Sequence, residues 1–107
     1  MKGLPPYSEQ APDRSELDQT QGPMVLEFGA NWCGVCRGTL PIITEAMQRT
    51  ALRHIRIEDG KGKRLGRSYS VKLWPTLIML SDGKEVARVV RPESVEEIDD
   101  ALMQLQT

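Results

Sequence analysis

The sequence has only two cysteines, one histidine and five aromatic residues among its 107. Two cysteines cannot build the disulfide lattice of a small secreted scaffold. Together with the lone His54 they also fall short of the four ligands of a structural zinc site. Neither sign of charge is in excess: 14 basic against 15 acidic side chains gives a net charge of −1. This excludes a general nucleic-acid binder and a polybasic membrane-surface protein. No apolar run approaches the roughly 18–20 residues that span a bilayer, and the first residues lack the apolar stretch of a signal peptide. The expectation is a cytoplasmic protein that engages neither nucleic acid nor membrane. The length suits one domain over residues 1–107, with no repeat or low-complexity tract.

What is present is an alternation of apolar patterns. Residues 1–11 carry prolines and polar side chains and read as an irregular lead-in. Asp13 and Glu16 fit the start of a short helix that stops near Gly22-Pro23. Residues 24–30 form an apolar run of buried-strand length, interrupted by Glu27. Leu40, Ile43, Met47 and Leu52 predict a helix over about 33–52, bent at Pro41. Strands are expected at 54–58, 76–80 and 85–90, a short helix within 61–70, and a hairpin turn at residues 81–84. Ser94 and Glu97 form a capping-box signature. Val95, Ile98, Leu102 and Leu105 then make the apolar stripe of a last helix. This order implies an α/β fold with a central mixed sheet covered by helices on both faces.

Trp32-Cys33-Gly34-Val35-Cys36 lies where the first strand turns into the long helix. The first turn of a helix offers unpaired N–H groups and a positive dipole end, which favour a thiolate. Two cysteines two residues apart on that turn can close a disulfide with little movement. Cys33 is expected at the exposed start and Cys36 one turn further in. By itself the pair leaves three readings open: a redox couple, half of a metal site completed by a second chain, or chance.

The segment from Glu27 to Arg37, EFGANWCGVCR, resembles the active-site stretch of the thioredoxin family, whose usual form is WCGPC followed by a basic residue. Pro41 matches the family's helix-kinking proline. Trp74-Pro75-Thr76 matches its proline–threonine pair, and Asp82-Gly83-Lys84 its hairpin turn. The resemblance extends over about residues 13–105. It implies the thioredoxin fold and thiol–disulfide exchange. Cys33 would be the attacking thiolate and Cys36 the resolving thiol. Glu27 would stand in for a buried carboxylate, usually Asp, that helps Cys36 lose its proton. Buried there it needs a partner, which Arg56 could supply. The competing reading has Glu27 face solvent. His54 could also come near Glu27, but reads more readily as a strand-end surface residue. Pro75 would be cis, face the disulfide, and present the Trp74 backbone to an extended substrate.

The departures from the family pattern fall around the motif. Val35 replaces the usual proline between the cysteines. Gly29 stands where a tryptophan is common. Trp74 replaces a smaller aliphatic residue, so that Trp32 and Trp74 form a docking surface or Trp74 fills the space above Gly29. Val90 is followed by Arg91-Pro92 where a glycine usually lies beside the site. Arg91 would narrow the approach and favour acidic partners. Residues 53–72 carry seven basic and two acidic side chains, and residues 93–100 five acidic and no basic ones. Such runs are solvated faces or a charged partner surface. The glycines of residues 60–66 match neither phosphate-loop template.

The expectation is therefore a monomeric disulfide reductase. Cys33, Cys36 and Glu27 carry the chemistry, and Trp32, Gly34, Val35, Trp74, Pro75, Val90 and Arg91 line the substrate groove. No bound cofactor is needed, because the dithiol carries two electrons. By resemblance, the partners are protein disulfides and a thioredoxin reductase or similar donor. The alternative is a binding or assembly module that keeps the fold and holds one partner with little turnover.

Overall fold

Strand β1 (Pro23–Gly29) buries every residue after Pro23, so both of its faces must be covered. The computed structural model describes residues 3–106 and places this strand inside a four-stranded sheet. On one side lies the parallel β2 (Arg53–Glu58), on the other the antiparallel β3 (Thr76–Ser81). The antiparallel β4 (Lys84–Val90) closes the far edge. This is the mixed sheet that the pattern implies.

Alternate residues of the strands face opposite layers. Val25, Leu77 and Met79 pack with Ile43 and Met47 of helix α2 (Gly34–Gln48) and with Ile98 and Leu102 of α4 (Val95–Met103). Leu26, Phe28, Ile78 and Leu80 pack the other way, against Leu17 of α1 (Arg14–Asp18) and Tyr69, with Leu65 of α3 (Arg64–Ser68) beside them. Phe28 is fully buried, and burial of such a ring stabilises the fold by about 2–3 kcal/mol. Glu27 shares its face with Val25, beneath α2 rather than toward water.

Element ends differ from the pattern for local reasons. Helix α2 stops at Gln48, short of the expected 52, because the chain must reverse before β2 begins at Arg53. Leu52 still packs on the core from the loop, which is how it imitated a helical position. Likewise Leu105 packs from a 3-10 turn, Gln104–Gln106, that follows α4. Helix α3 is shorter than 61–70 because Gly60 and Gly62 adopt φ of +146° and +83° before it, and Ser70 adopts +58° after it. Asp82 and Gly83 both have positive φ, as a two-residue hairpin turn requires. The lead-in is not wholly irregular. Ser8 pairs alongside β2, donating to the Arg56 carbonyl at 3.0 Å and accepting from the Glu58 N–H at 2.8 Å.

Candidate active site

Cys33 is the N-cap of α2 and Cys36 lies in its first turn, both as free thiols. The Cys36 backbone N–H donates to Cys33 Sγ at 3.2 Å. Cys33 is only 8% exposed, against the expectation of an open position, because Tyr7 and Ala30 pack with it and Trp74 lies over the cluster. The two thiols differ in acidity. Burial works against ionisation of Cys33, but hydrogen bonds from the Cys36 thiol and from the Cys36 and Val35 backbones outweigh it, with help from the Arg91 charge. Its pKa therefore falls below the ordinary thiol value. Burial and the neighbouring Cys33 push the Cys36 pKa up to about 11. An ionisable outer sulfur beside a protonated inner one is the division that a two-step exchange requires.

Glu27 is fully buried, and the solvent-facing reading is overturned because Tyr7, His54 and Arg56 enclose its carboxylate. Arg56, the next-strand partner expected from sequence, reaches it with Nε and Nη2, both at 3.0 Å. His54 Nε2 lies 2.8 Å from Glu27 Oε1, with only a tenth of its side chain exposed. The surface reading of His54 is therefore corrected: parallel register places residue 54 beside Val25, within reach of the carboxylate. Burial alone would raise the Glu27 pKa, but His54 and Arg56 outweigh it and hold the carboxyl below its usual range.

Tyr7 was missed. Its hydroxyl donates to Glu27 Oε2, its ring lies beneath the Arg56 guanidinium at 4.0 Å, and it packs beside Cys36. A Cβ on Gly29 would meet Tyr7 Cζ at 2.4 Å, so Tyr7, and not Trp74, occupies the space above that glycine. The signal was Gly29 itself: a glycine inside an apolar strand marks close approach by another group. Asn31 clamps the Tyr7 backbone, accepting from its N–H at 2.8 Å and donating to its carbonyl at 3.2 Å.

The groove residues gather around the thiols. The Trp74–Pro75 bond is cis. Trp74 packs edge-on against Trp32 at 5.4 Å and donates its indole N–H to Asp59 at 2.8 Å, a partner with no local sequence signal. Trp32 stays 66% exposed, and Val35 and Val90 are also open to solvent. Gly34 is exposed, and a Cβ there would meet open space. Arg91 holds φ of +50°, the region glycine favours, and its Nε donates to the Trp74 carbonyl at 2.9 Å. Among the described residues no group of three or more His, Cys, Asp or Glu could hold a metal ion, and no helix is long and apolar enough to cross a membrane.

The family model described as thioredoxin matches residues 8–104. Among curated proteins, the thioredoxin of Listeria monocytogenes is 27% identical over 89 residues, covering 81% of this chain and 86% of that one. Thioredoxin H-type 1 of Nicotiana tabacum is 33% identical over 79 residues, 73% of this chain and 63% of its own length. Among solved structures, reduced thioredoxin 2 of Pseudomonas aeruginosa superposes with a TM-score of 0.85 at 48% identity, over 94% of both chains.

Proposed function

The chain belongs to the thioredoxin family and is a thiol–disulfide oxidoreductase, and we propose that it works as a reductase of protein disulfides. The observation that carries the direction of each step is the split acidity of the two sulfurs across their 3.2 Å contact. The Cys33 thiolate attacks one substrate sulfur, and the other substrate sulfur leaves with the electron pair. Cys36 then loses its proton and attacks Cys33 Sγ, which releases the second substrate sulfur and closes the Cys33–Cys36 disulfide. Two electrons pass to the substrate. A thioredoxin reductase or a similar dithiol donor restores the pair. Such a cycle suits a reducing compartment, and a cytoplasmic location is part of the proposal.

The substrate class follows from what surrounds the sulfurs. Trp32, Val35 and Val90 offer exposed apolar contact, and the Trp74 backbone offers strand-like pairing. A cleft of about 300 Å³ that Trp74 shares is lined by Lys61, Lys63, Arg67 and Lys72, together with Asp59. Together with Arg91 this supports a preference for disulfides flanked by acidic residues. A binding role without turnover is not favoured, because both thiols are present and differently tuned.

The test is reduction of insulin disulfides with thioredoxin reductase and its reductant. Turnover that disappears in Cys33→Ser, at a rate below that of a general thioredoxin, supports the reading. No turnover by the intact chain contradicts reductase function, and a rate matching a general thioredoxin contradicts the narrower substrate range.

A further inference from the structure

Resolution of the mixed disulfide demands a proton acceptor for Cys36, because burial of its thiol works against ionisation at neutral pH. Glu27 is the obvious buried base, but Tyr7 stands with it. The Tyr7 side chain belongs to the cluster of Cys33 and Cys36, and its hydroxyl hydrogen bonds Glu27. Tyr7 and Cys36 also line one cleft, and the phenol acts to lower the Cys36 pKa against the burial that raises it. The ring is held by the Asn31 clamp on its backbone, the Arg56 guanidinium on its face and close approach to Gly29. Burial and Glu27 raise the phenol's own pKa well above its usual value, so it does not persist as a phenolate. A group that neither gains nor loses net charge, set beside a thiol and bonded to a carboxylate, is suited to pass a proton along.

We propose that Tyr7 relays the Cys36 proton to Glu27 while the mixed disulfide is resolved, an inference that rests on the dithiol reading above. The Cys36 S–H bond breaks as its proton moves to the Tyr7 oxygen, and the Tyr7 proton moves to Glu27 Oε2. The Cys36 sulfur attacks Cys33 Sγ; that bond forms as the bond to substrate breaks, and the substrate sulfur leaves with the electron pair. Glu27 ends as the carboxylic acid. When a donor dithiol reopens the pair, Cys36 leaves as thiolate and recovers the proton by the same route. Arg56 and His54 make Glu27 a weak base, so the transfer does not complete at rest. It completes only as the new sulfur–sulfur bond consumes the charge on Cys36. Water is the competing acceptor, since a cleft of about 290 Å³ lined by Tyr7, Cys36, Asn31 and Arg37 borders the same thiol.

The test uses the full chain and a chromogenic aromatic disulfide, dithiobis(nitrobenzoate). Attack by Cys33 releases one nitrothiolate, and resolution by Cys36 releases the second. Tyr7→Phe keeps the ring and removes only the hydroxyl. The expected result is an unchanged first phase and a second phase slowed about tenfold or more at pH 7. That deficit shrinks as pH rises, because hydroxide replaces the relay. A second phase with the rate and pH profile of the unaltered chain overturns the relay and assigns the proton to water. Equal slowing of both phases at every pH also overturns it, since that marks a positional role. Absence of a second phase in the unaltered chain contradicts the dithiol reading itself, and so is distinguishable from failure of the relay.

Discussion

Arg91 Nε donates to the carbonyl oxygen of Trp74 at 2.9 Å, while the Arg91 backbone N–H bonds the carbonyl of Pro75 at the same distance. The side chain thus engages the backbone group that an extended substrate would pair with. In Arg91→Gly that carbonyl is free, and the strained φ of +50° falls to a residue that tolerates it. A competing hydrogen bond of about 1 kcal/mol corresponds to roughly fivefold in substrate affinity. The expected outcome is a lower KM for insulin and a raised Cys33 pKa, read from steady-state rates and from alkylation of Cys33 against pH.

The acidity split predicts the order of alkylation. With iodoacetamide near neutral pH, Cys33 reacts first, and its rate rises through a midpoint below that of an ordinary thiol. Cys36 follows only at higher pH, because burial holds its thiol up even after Cys33 is capped. Peptide mapping after timed quenching checks both.

Glu27→Gln leaves the Arg56 guanidinium buried without its counter-charge. Breaking such a pair costs about 3 kcal/mol, which lowers Tm by more than about 10 °C in a domain of this size. The pH dependence has a fixed sign. The folded-state pKa of Glu27 lies below its unfolded value, so its stabilisation is fully present above about pH 5, where the unfolded carboxylate is ionised. It is lost as the pH falls through the folded pKa. Thermal melts between pH 7 and 3 should show a shallower acid decline for Glu27→Gln than for the unaltered chain.

Two glycine substitutions should act in opposite directions. Gly29→Ala places a methyl 2.4 Å from Tyr7 Cζ, so the ring must shift, at a cost of about 1–3 kcal/mol. Gly38→Ala, inside α2 with nothing within 4 Å of the new Cβ, should stabilise by about 0.5–1 kcal/mol. Urea midpoints measure both.

Where the pattern depends on neighbours in sequence, it was legible. The capping box at Ser94 and Glu97, the Asp82-Gly83 turn and the strand carrying Glu27 all form as read. The pair Cys33–Cys36 needed only the local helix start. What was hidden depends on distant partners. Nothing around Tyr7 announces that Ser8 will pair with β2 and swing the phenol over Gly29. His54 reads as a surface residue until the register sets it beside β1, and Asp59 shows its purpose only when Trp74 arrives 15 residues later. Cys33 reads as exposed because its covering groups, Tyr7 and Trp74, come from both sides of the motif in sequence.

Whether this dithiol gives electrons to protein disulfides is decided by the reduction potential of the Cys33–Cys36 couple. Equilibration against glutathione or a reference dithiol, read by the fraction of free thiol, gives the value. A reductase should give about −270 mV, in the range of reducing members of such systems. A value near about −120 mV would mark a strong oxidant and contradict it.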